Sequence, residues 1–247
     1  MNVTFTARGH AATSTPARRA LDSIPWLAGI DERTREALAA RAMLHRLPAG
    51  ALAFDQAETP AFAQFLVAGS LKLVGVRGDG EAVIEIARPH DLILPAAVIS
   101  GLPYLLRARV FEEAQLLLVA ADGFREALAA DNAFCRAVLE FVAAQLRRQI
   151  RATKGHRLRG AEERVAAYIA GLLTRDSGEA EVILILDKGE IAAHIGMTRE
   201  TFSRALSGLS AHGVAVDGRR LRIADVAAFL ARFPRDPFID GPEPTPA

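Results

Sequence analysis

One cysteine, Cys135, is all the chain holds in 247 residues. That excludes an internal disulfide, and it leaves too few thiolates for an iron–sulfur cluster or a structural zinc site. A reducing compartment is the natural expectation. Long apolar runs are missing as well. No stretch approaches the roughly 18 residues of a spanning helix, and MNVTFTARGHAATSTPARRALDS lacks a charged head followed by an apolar core. A cytoplasmic protein with no membrane partner is therefore expected. Net charge is scarcely present: 30 Lys and Arg stand against 29 Asp and Glu, for +1. Attraction to a polyanion must then come from local clustering and not from a basic body. There is also no His-x-His pair, no paired nucleophile and histidine, and no Gly-rich phosphate loop, so nothing marks an enzyme.

What is present is ordinary globular material, 51% apolar and 24% charged, long enough for two domains. The ends, residues 1–20 and the Pro-rich 234–247, read as tails. Short apolar runs punctuated by turns fill residues 47–120. The run 71–76 is answered across Arg77-Gly78-Asp79-Gly80 by Ala82, Val83, Ile84 and Ile86, a β-hairpin pattern. Residues 21–130 are thus expected as one β-rich domain ending in a short helix through Phe124 and Leu128.

Residues 131–158 change texture. Cys135, Leu139, Val142, Leu146, Gln149 and Thr153 recur at alternating steps of four and three along a stretch nearly free of glycine. A seam of Leu139, Val142 and Leu146 between two copies of the chain is the leading reading; a single helix with a solvated basic face is the competing one.

Residues 159–233 carry the strongest signal. Segment 188–196, KGEIAAHIG, puts Ile191, Ala192 and Ile195 on one face and stops at Gly196, free to adopt a left-handed turn. Thr198 is a good N-cap for the next helix, with Met197 and Phe202 at the hydrophobic-staple positions. Along that helix Phe202, Ala205, Leu206 and Leu209 share one arc, while Arg199, Glu200, Ser203, Arg204 and Ser207 share another. Two helices joined by a tight turn make a helix-turn-helix. The polar arc suits a major groove: arginine donates twice to guanine, glutamate accepts from cytosine, and serine serves base or phosphate. A glutamate among those arginines favours base reading over simple phosphate attraction. Beyond it, segments 213–216 and 219–223 flank Asp217-Gly218, a hairpin signal read as a wing. Its Arg219, Arg220 and Arg222 are suited to phosphates, with a solvated cluster as the competing reading.

Taken together these residues resemble the Crp/Fnr family of bacterial regulators. The resemblance covers most of 21–233, and EIAAHIGMTRETFSRALSGLSAHGV and FLVAGSLKLVGV carry it. It implies an α+β fold with an N-terminal β-roll (a cyclic-nucleotide-binding-like jelly roll), a dimer helix and a C-terminal winged helix-turn-helix. Its implied partners are double-stranded DNA, a second copy of the chain and RNA polymerase, with activation the commoner direction. Glu200, Ser203 and Arg204 match the Glu-x-x-Ser-Arg reading motif of the Fnr-like branch, and Arg199 matches a base-contacting arginine of the Crp-like branch. Thr198, Thr201, Arg219 and Arg220 complete the candidate DNA-binding set. A palindrome with TTGAT-like half-sites about 34 Å apart is implied.

The sensor half departs from the family's best-known members. Where cyclic-nucleotide binders carry Gly-Glu and Arg-Ser or Arg-Thr pairs, this chain has Leu94-Pro95 and Leu105-Leu106, with Arg107 and Arg109 as an alternative register. Cyclic-nucleotide binding is not expected in the first alignment, and a single cysteine rules against an iron–sulfur cluster. What remains is nearest to the nitric-oxide-responsive denitrification branch, which implies a gas or small-molecule signal, through haem in some members. The apolar segment 92–109 would wall such a ligand. The axial histidine would come from His10, His45, His90, His156, His194 and His212, with His90 the candidate inside the β-roll and a plain turn residue its competing reading. Three other readings stay open: a Crp-like regulator binding a cyclic nucleotide or another effector, a ligand-independent regulator, and a cupin-type barrel enzyme with a DNA-binding tail.

Overall fold

Thr15 and Pro16 open the first helix in the computed structural model, which describes residues 15–241 apart from Asp79 and Ile185. The Thr15 hydroxyl accepts from the Arg18 N–H at 3.1 Å, and Pro16 sits in the first turn where no N–H is needed, so α1 (Pro16–Asp22) forms. Ala17 and Ala20 are buried beneath it. The expected tail is therefore corrected from residue 15 onward; residues 1–14 lie outside the described residues. A single 3-10 turn (Pro25–Leu27) and α2 (Glu32–Ala40) follow.

Six antiparallel strands come next: β1 (Ala42–Leu47), β2 (Leu52–Phe54), β3 (Phe62–Arg77), β4 (Gly80–Ala87), β5 (Leu92–Ile93) and, after helix α3 (Pro95–Ser100), β6 (Arg107–Ala120). They are ordered β1-β6-β3-β4, with β2 paired to β6 and β5 to β3. The hairpin read from sequence is β3–β4, with Leu71 opposite Ala87 and Arg77 opposite Gly80. Register slips near Ala68, Ser70 and Val74 bend the long strands, so the sheet curls on itself. Because neighbouring side chains on a strand point to opposite faces, β3 and β6 feed two cores. Leu66, Leu71, Leu73, Val110 and Leu116 fill the roll together with Phe54 and Tyr104, whose rings stack 3.8 Å apart. Phe65, Leu117 and Val119 face the helices instead.

Those helices are α1, α2, α4 (Ala121–Ala130) and the N-terminal half of α5 (Asn132–Leu158). The Asp131 carboxylate caps α5 through the Ala133 and Phe134 N–H groups at 2.8 and 3.1 Å. Phe134 and Val138 are buried, and Trp26 lies between Phe65 and Phe141 with ring centroids 6.0 and 4.9 Å away. One side of α5 is thus glued to the roll. The opposite side is bare: Leu139, Leu146 and Ile150 are 65%, 60% and 52% exposed.

The third unit contains α6 (Ala161–Leu172), β7 (Ala180–Ile183), α7 (Lys188–His194), α8 (Arg199–Gly208), β8 (Val214–Asp217), β9 (Arg220–Ile223) and α9 (Val226–Arg232). Its core is built from Val165, Ile169, Ile191, Phe202, Leu206, Leu221, Val226 and Phe229, all but fully buried. The apolar run at 182–186 pairs only as far as Ile183; Leu184 and Leu186 stay in the core but outside the ladder. The chain is thus α+β: an N-terminal β-roll of the cyclic-nucleotide-binding-like kind, a long helix and a C-terminal winged helix-turn-helix. Among the described residues no helix is long and apolar enough to cross a membrane.

Candidate nucleic-acid interface

Helix α7 starts in a reciprocal cap. Asp187 Oδ1 accepts from the Glu190 N–H at 2.8 Å, and Glu190 Oε2 accepts from the Asp187 N–H at 3.1 Å. The backbone N–H of Glu190 is the main reason the Asp187 carboxyl sits below its usual range. Glu190 has a second duty, because its other oxygen is held by the ammonium of Lys72 on β3. The roll is thereby tied directly to the first helix of the pair.

The turn that follows is gripped from behind. Gly196 takes φ +69°, and a Cβ there would press to 3.2 Å of the His156 ring. Arg164 on α6 donates to the Ile195 and Gly196 carbonyls at 3.0 and 2.9 Å. Burial pushes the His156 imidazole down, and the field of Arg164 adds to that; a hydrogen bond to the backbone of His194 opposes it. His194 is likewise lowered, by burial first and then by Arg88 and His156. Arg164 was not singled out in the sequence, and His156 only as one of six candidate haem histidines, since their role here depends on α5 and α6 meeting α7 from a distance.

Helix α8 begins at Thr198, whose Oγ1 accepts from the Thr201 N–H at 3.2 Å and lies 3.0 Å from the Thr201 hydroxyl. Both threonines, read from sequence as DNA-contacting, are thus engaged in the cap. From there the two arcs separate: Phe202, Ala205, Leu206 and Leu209 are buried, whereas Arg199, Glu200, Ser203, Arg204 and Ser207 are exposed. Among the described residues, neither the Arg199 nor the Arg204 guanidinium enters an ion pair or hydrogen bond. Glu200 stays readily ionised. Its own backbone N–H and the Thr198 hydroxyl hold its carboxyl down, and Arg199 and Arg204 reinforce them. One convex face therefore presents two uncommitted forks, one carboxylate and two hydroxyls.

The wing is the three-stranded sheet β7-β9-β8. Asp217 pairs with Arg220, so the turn residues are Gly218 and Arg219, one position later than the Asp217-Gly218 read from sequence. Gly218, at φ +59°, holds the first turn position, where a positive φ is required. Arg219 and Arg222 are exposed, while Arg220 is drawn to Glu181 on β7 at 3.2 Å.

On α5 the exposed stripe differs from the expected seam at Val142. Leu139, Ala143, Leu146 and Ile150 form the exposed stripe. Val142 is half-buried against the roll-side core, and Gln149 donates to Glu85 on β4 at 2.9 Å. At about 100° per residue, Val142 and Gln149 fall on the flank turned toward the roll.

In the sensor half, Leu94 is left-handed, Pro95 opens α3, and Leu105 lies 83% exposed. Arg107 does not supply a cation for a phosphate: its guanidinium is held by Asp55 at 2.8 and 2.9 Å and by Glu81 at 2.6 Å. Among the described residues Arg109 reaches the Gly50 carbonyl, at 3.5 Å. His90 is a turn residue, with φ +77°, its N–H on Leu66 and its carbonyl accepting from Trp26. The apolar residues expected to wall a haem, among them Leu92, Ile93, Val98 and Tyr104, are spent in core packing. His90 and segment 92–109 therefore do not fit a haem. Among the described residues no group of His, Cys, Asp and Glu is arranged to hold a metal ion. A separate cleft of about 960 Å³ opens where the roll, α5 and the third unit meet, with Ile84, Phe111, Arg88, Arg148, Tyr168 and His194 in its walls.

Comparison with known proteins agrees with this architecture. Residues 163–232 match the Crp-like helix-turn-helix domain. No curated protein sequence matches the chain. FixK2 from Bradyrhizobium japonicum is 21% identical, with TM-score 0.63 over 79% of this chain and 98% of its own. A variant of CooA from Carboxydothermus hydrogenoformans is 16% identical, with TM-score 0.67 over 85% and 95%. A CRP-family transcriptional regulator from Thermus thermophilus is 21% identical, with TM-score 0.61 over 80% and 100%. At such identities the likeness speaks for the fold, which spans both the roll and the helix-turn-helix.

Proposed function

We propose that the chain is a transcription regulator of the Crp/Fnr type and not an enzyme. In this reading it binds a palindromic duplex as a homodimer, with Arg199, Glu200, Ser203 and Arg204 reading TTGAT-like half-sites. The observation that carries the proposal is the outer arc of α8. Uncommitted arginines beside an ionised glutamate, on a helix whose other arc is locked into a core, match what base edges of the major groove accept. Arg219 and Arg222 at the wing supply phosphate contacts, which orient without specifying. Thr198 and Thr201 act by holding the helix start in place, and Arg220 joins the DNA only when Glu181 releases it.

The bare stripe Leu139–Ala143–Leu146–Ile150 is where a second copy packs, which sets the two reading helices one turn of duplex apart, about 34 Å. Within this reading the chain acts as a cytoplasmic activator that contacts RNA polymerase. A small molecule that settles in the three-way cleft would bias the arrangement of the units, provided it favours one arrangement over another. Fluorescence anisotropy on duplexes carrying two half-sites tests the core of the proposal. Binding should be tight when the centres lie 10–11 base pairs apart, as one helical turn requires, and should collapse when they are moved by half a turn. Equal affinity for both spacings contradicts a twofold reader.

A further inference from the structure

Helix α5 ends at Leu158 and α6 begins at Ala161, joined only by Arg159 and Gly160 in extended conformations (φ/ψ −114/137° and −66/171°). No helical hydrogen bonding runs through that joint. The angle between the long helix and the DNA-reading unit must therefore be held by contacts elsewhere. One such set comes from an unexpected source, the Pro-rich end of the chain.

Residues 235–241 do not trail away. Arg235 donates to the Ala170 carbonyl at 2.9 Å and pairs with Asp176 at 3.1 Å, which anchors the segment to the reading unit. The chain then closes a tight turn. The Asp236 carbonyl accepts from the Ile239 and Asp240 N–H groups, its carboxylate accepts from the Phe238 N–H, and a Cβ at Gly241 would lie 2.4 Å from the Pro237 oxygen. The far side rests on α5. Ile239 covers Gly155, Lys154 lies over the Phe238 ring at 5.6 Å, and Arg151 donates to the Gly241 carbonyl at 2.6 Å. Between the two anchors, Asp240 meets both terminal nitrogens of Arg159, a residue of the joint itself. Those two side chains are only 14% and 19% exposed. A two-pronged pair so shielded is worth more than an open surface bridge.

We propose that residues 235–241 form a strap that fixes the α5–α6 joint, holding the reading unit at a set angle to the dimer helix. Its contacts on α5 lie roughly 100° round the helix from the apolar stripe, so strap and second copy do not compete. Burial alone would push the Asp240 carboxyl up. The hydrogen bonds from Arg159 and the Asp236 N–H, with the fields of Arg159 and Arg235, more than offset that and hold it below the usual range. The strap is therefore firm at neutral pH and releases in acid, as Asp240 takes up a proton. The proposal is independent of DNA, so its failure would leave the operator reading untouched.

Hydrogen–deuterium exchange by mass spectrometry on the full DNA-free chain is the test, with Asp240→Asn, Arg159→Gln and the double variant. Loss of the clasp should speed exchange across residues 156–164 tenfold or more in each single variant, with the double no worse than either, and leave β3 and β6 unchanged. Faster exchange confined to 235–241, with 156–164 as slow as before, overturns the strap; so do additive effects in the double variant. Should Asp240→Asn loosen the whole fold, Gly241→Ala decides. It breaks the turn sterically without touching Arg159, and it must free the same joint peptides or the proposal fails.

Discussion

Replacing Leu146 with glutamate should dissociate the dimer, and the size of the effect follows from exposure. Fully burying a large aliphatic side chain contributes about 1.5–3 kcal/mol. With between half and two thirds of Leu139, Leu146 and Ile150 still open to water in a single chain, covering each contributes about 1–2 kcal/mol more. Over two copies the stripe supplies about 5–11 kcal/mol before the cost of association is subtracted. Removing Leu146 from both copies forfeits about 2–4 kcal/mol, a rise in dimer dissociation constant of about 30- to 700-fold. Two carboxylates brought face to face add to that penalty. Sedimentation equilibrium over a concentration series reads the constant directly, with Val142→Thr as the comparison, since Val142 packs toward the roll. The reasoning fails if Leu146→Glu keeps its helix content by circular dichroism and dimerises within threefold of the parent. It fails equally if Val142→Thr is the variant that falls apart while Leu146→Glu does not.

Other outcomes follow from single contacts. Thr198→Ala removes the α8 cap and should lower stability by about 1 kcal/mol, seen as a shifted urea midpoint with an unchanged slope; no shift would mean the Thr198–Thr201 cap is idle. Phe202→Ala empties a fully buried site in the reading unit and should cost about 3–5 kcal/mol, whereas a loss under 1 kcal/mol would place that ring outside the core. Because His156 and His194 are both lowered in the folded state, the unfolded chain binds more protons below pH about 6.5. Stability is complete above that value and declines as pH falls through the folded pKa values. His194→Gln should therefore lose less stability than the parent between pH 7.5 and 5.5, and an equal loss in both proteins would remove the histidines from the account.

What the sequence made legible was local. The α8 reading rests on a cap, a staple, a glycine and a periodicity, all within about a dozen residues, and those signals survive in any tertiary setting. The β3–β4 hairpin was legible for the same reason. The misreadings came where distant partners decide. Alternating steps of four and three place Val142 on the seam, yet the roll claims that flank of α5, and Glu85 claims Gln149. Residues 15–20 read as tail by composition, but Ala17 and Ala20 find a core supplied by strands far along the chain. Proline content marked 234–247 as loose, although Arg235 and Gly241 meet partners in α6 and α5, and Asp240 meets Arg159 in the joint between them, none of which a local pattern reveals. The His90 reading failed in the same way. His90 was chosen for lying in the roll, while the ring that enters a cleft wall is that of His194.

The central claim is that the outer arc of α8 reads bases, and Arg204→Ala tests it most directly. Anisotropy titrations should be run in parallel on a TTGAT-type palindrome and on a scrambled duplex at matched salt, because phosphate attraction varies with ionic strength. The variant should lose about 1–3 kcal/mol, roughly 5- to 150-fold, on the palindrome, and hold its weak affinity for the scrambled duplex. The same loss on both duplexes, or none on either, contradicts the account.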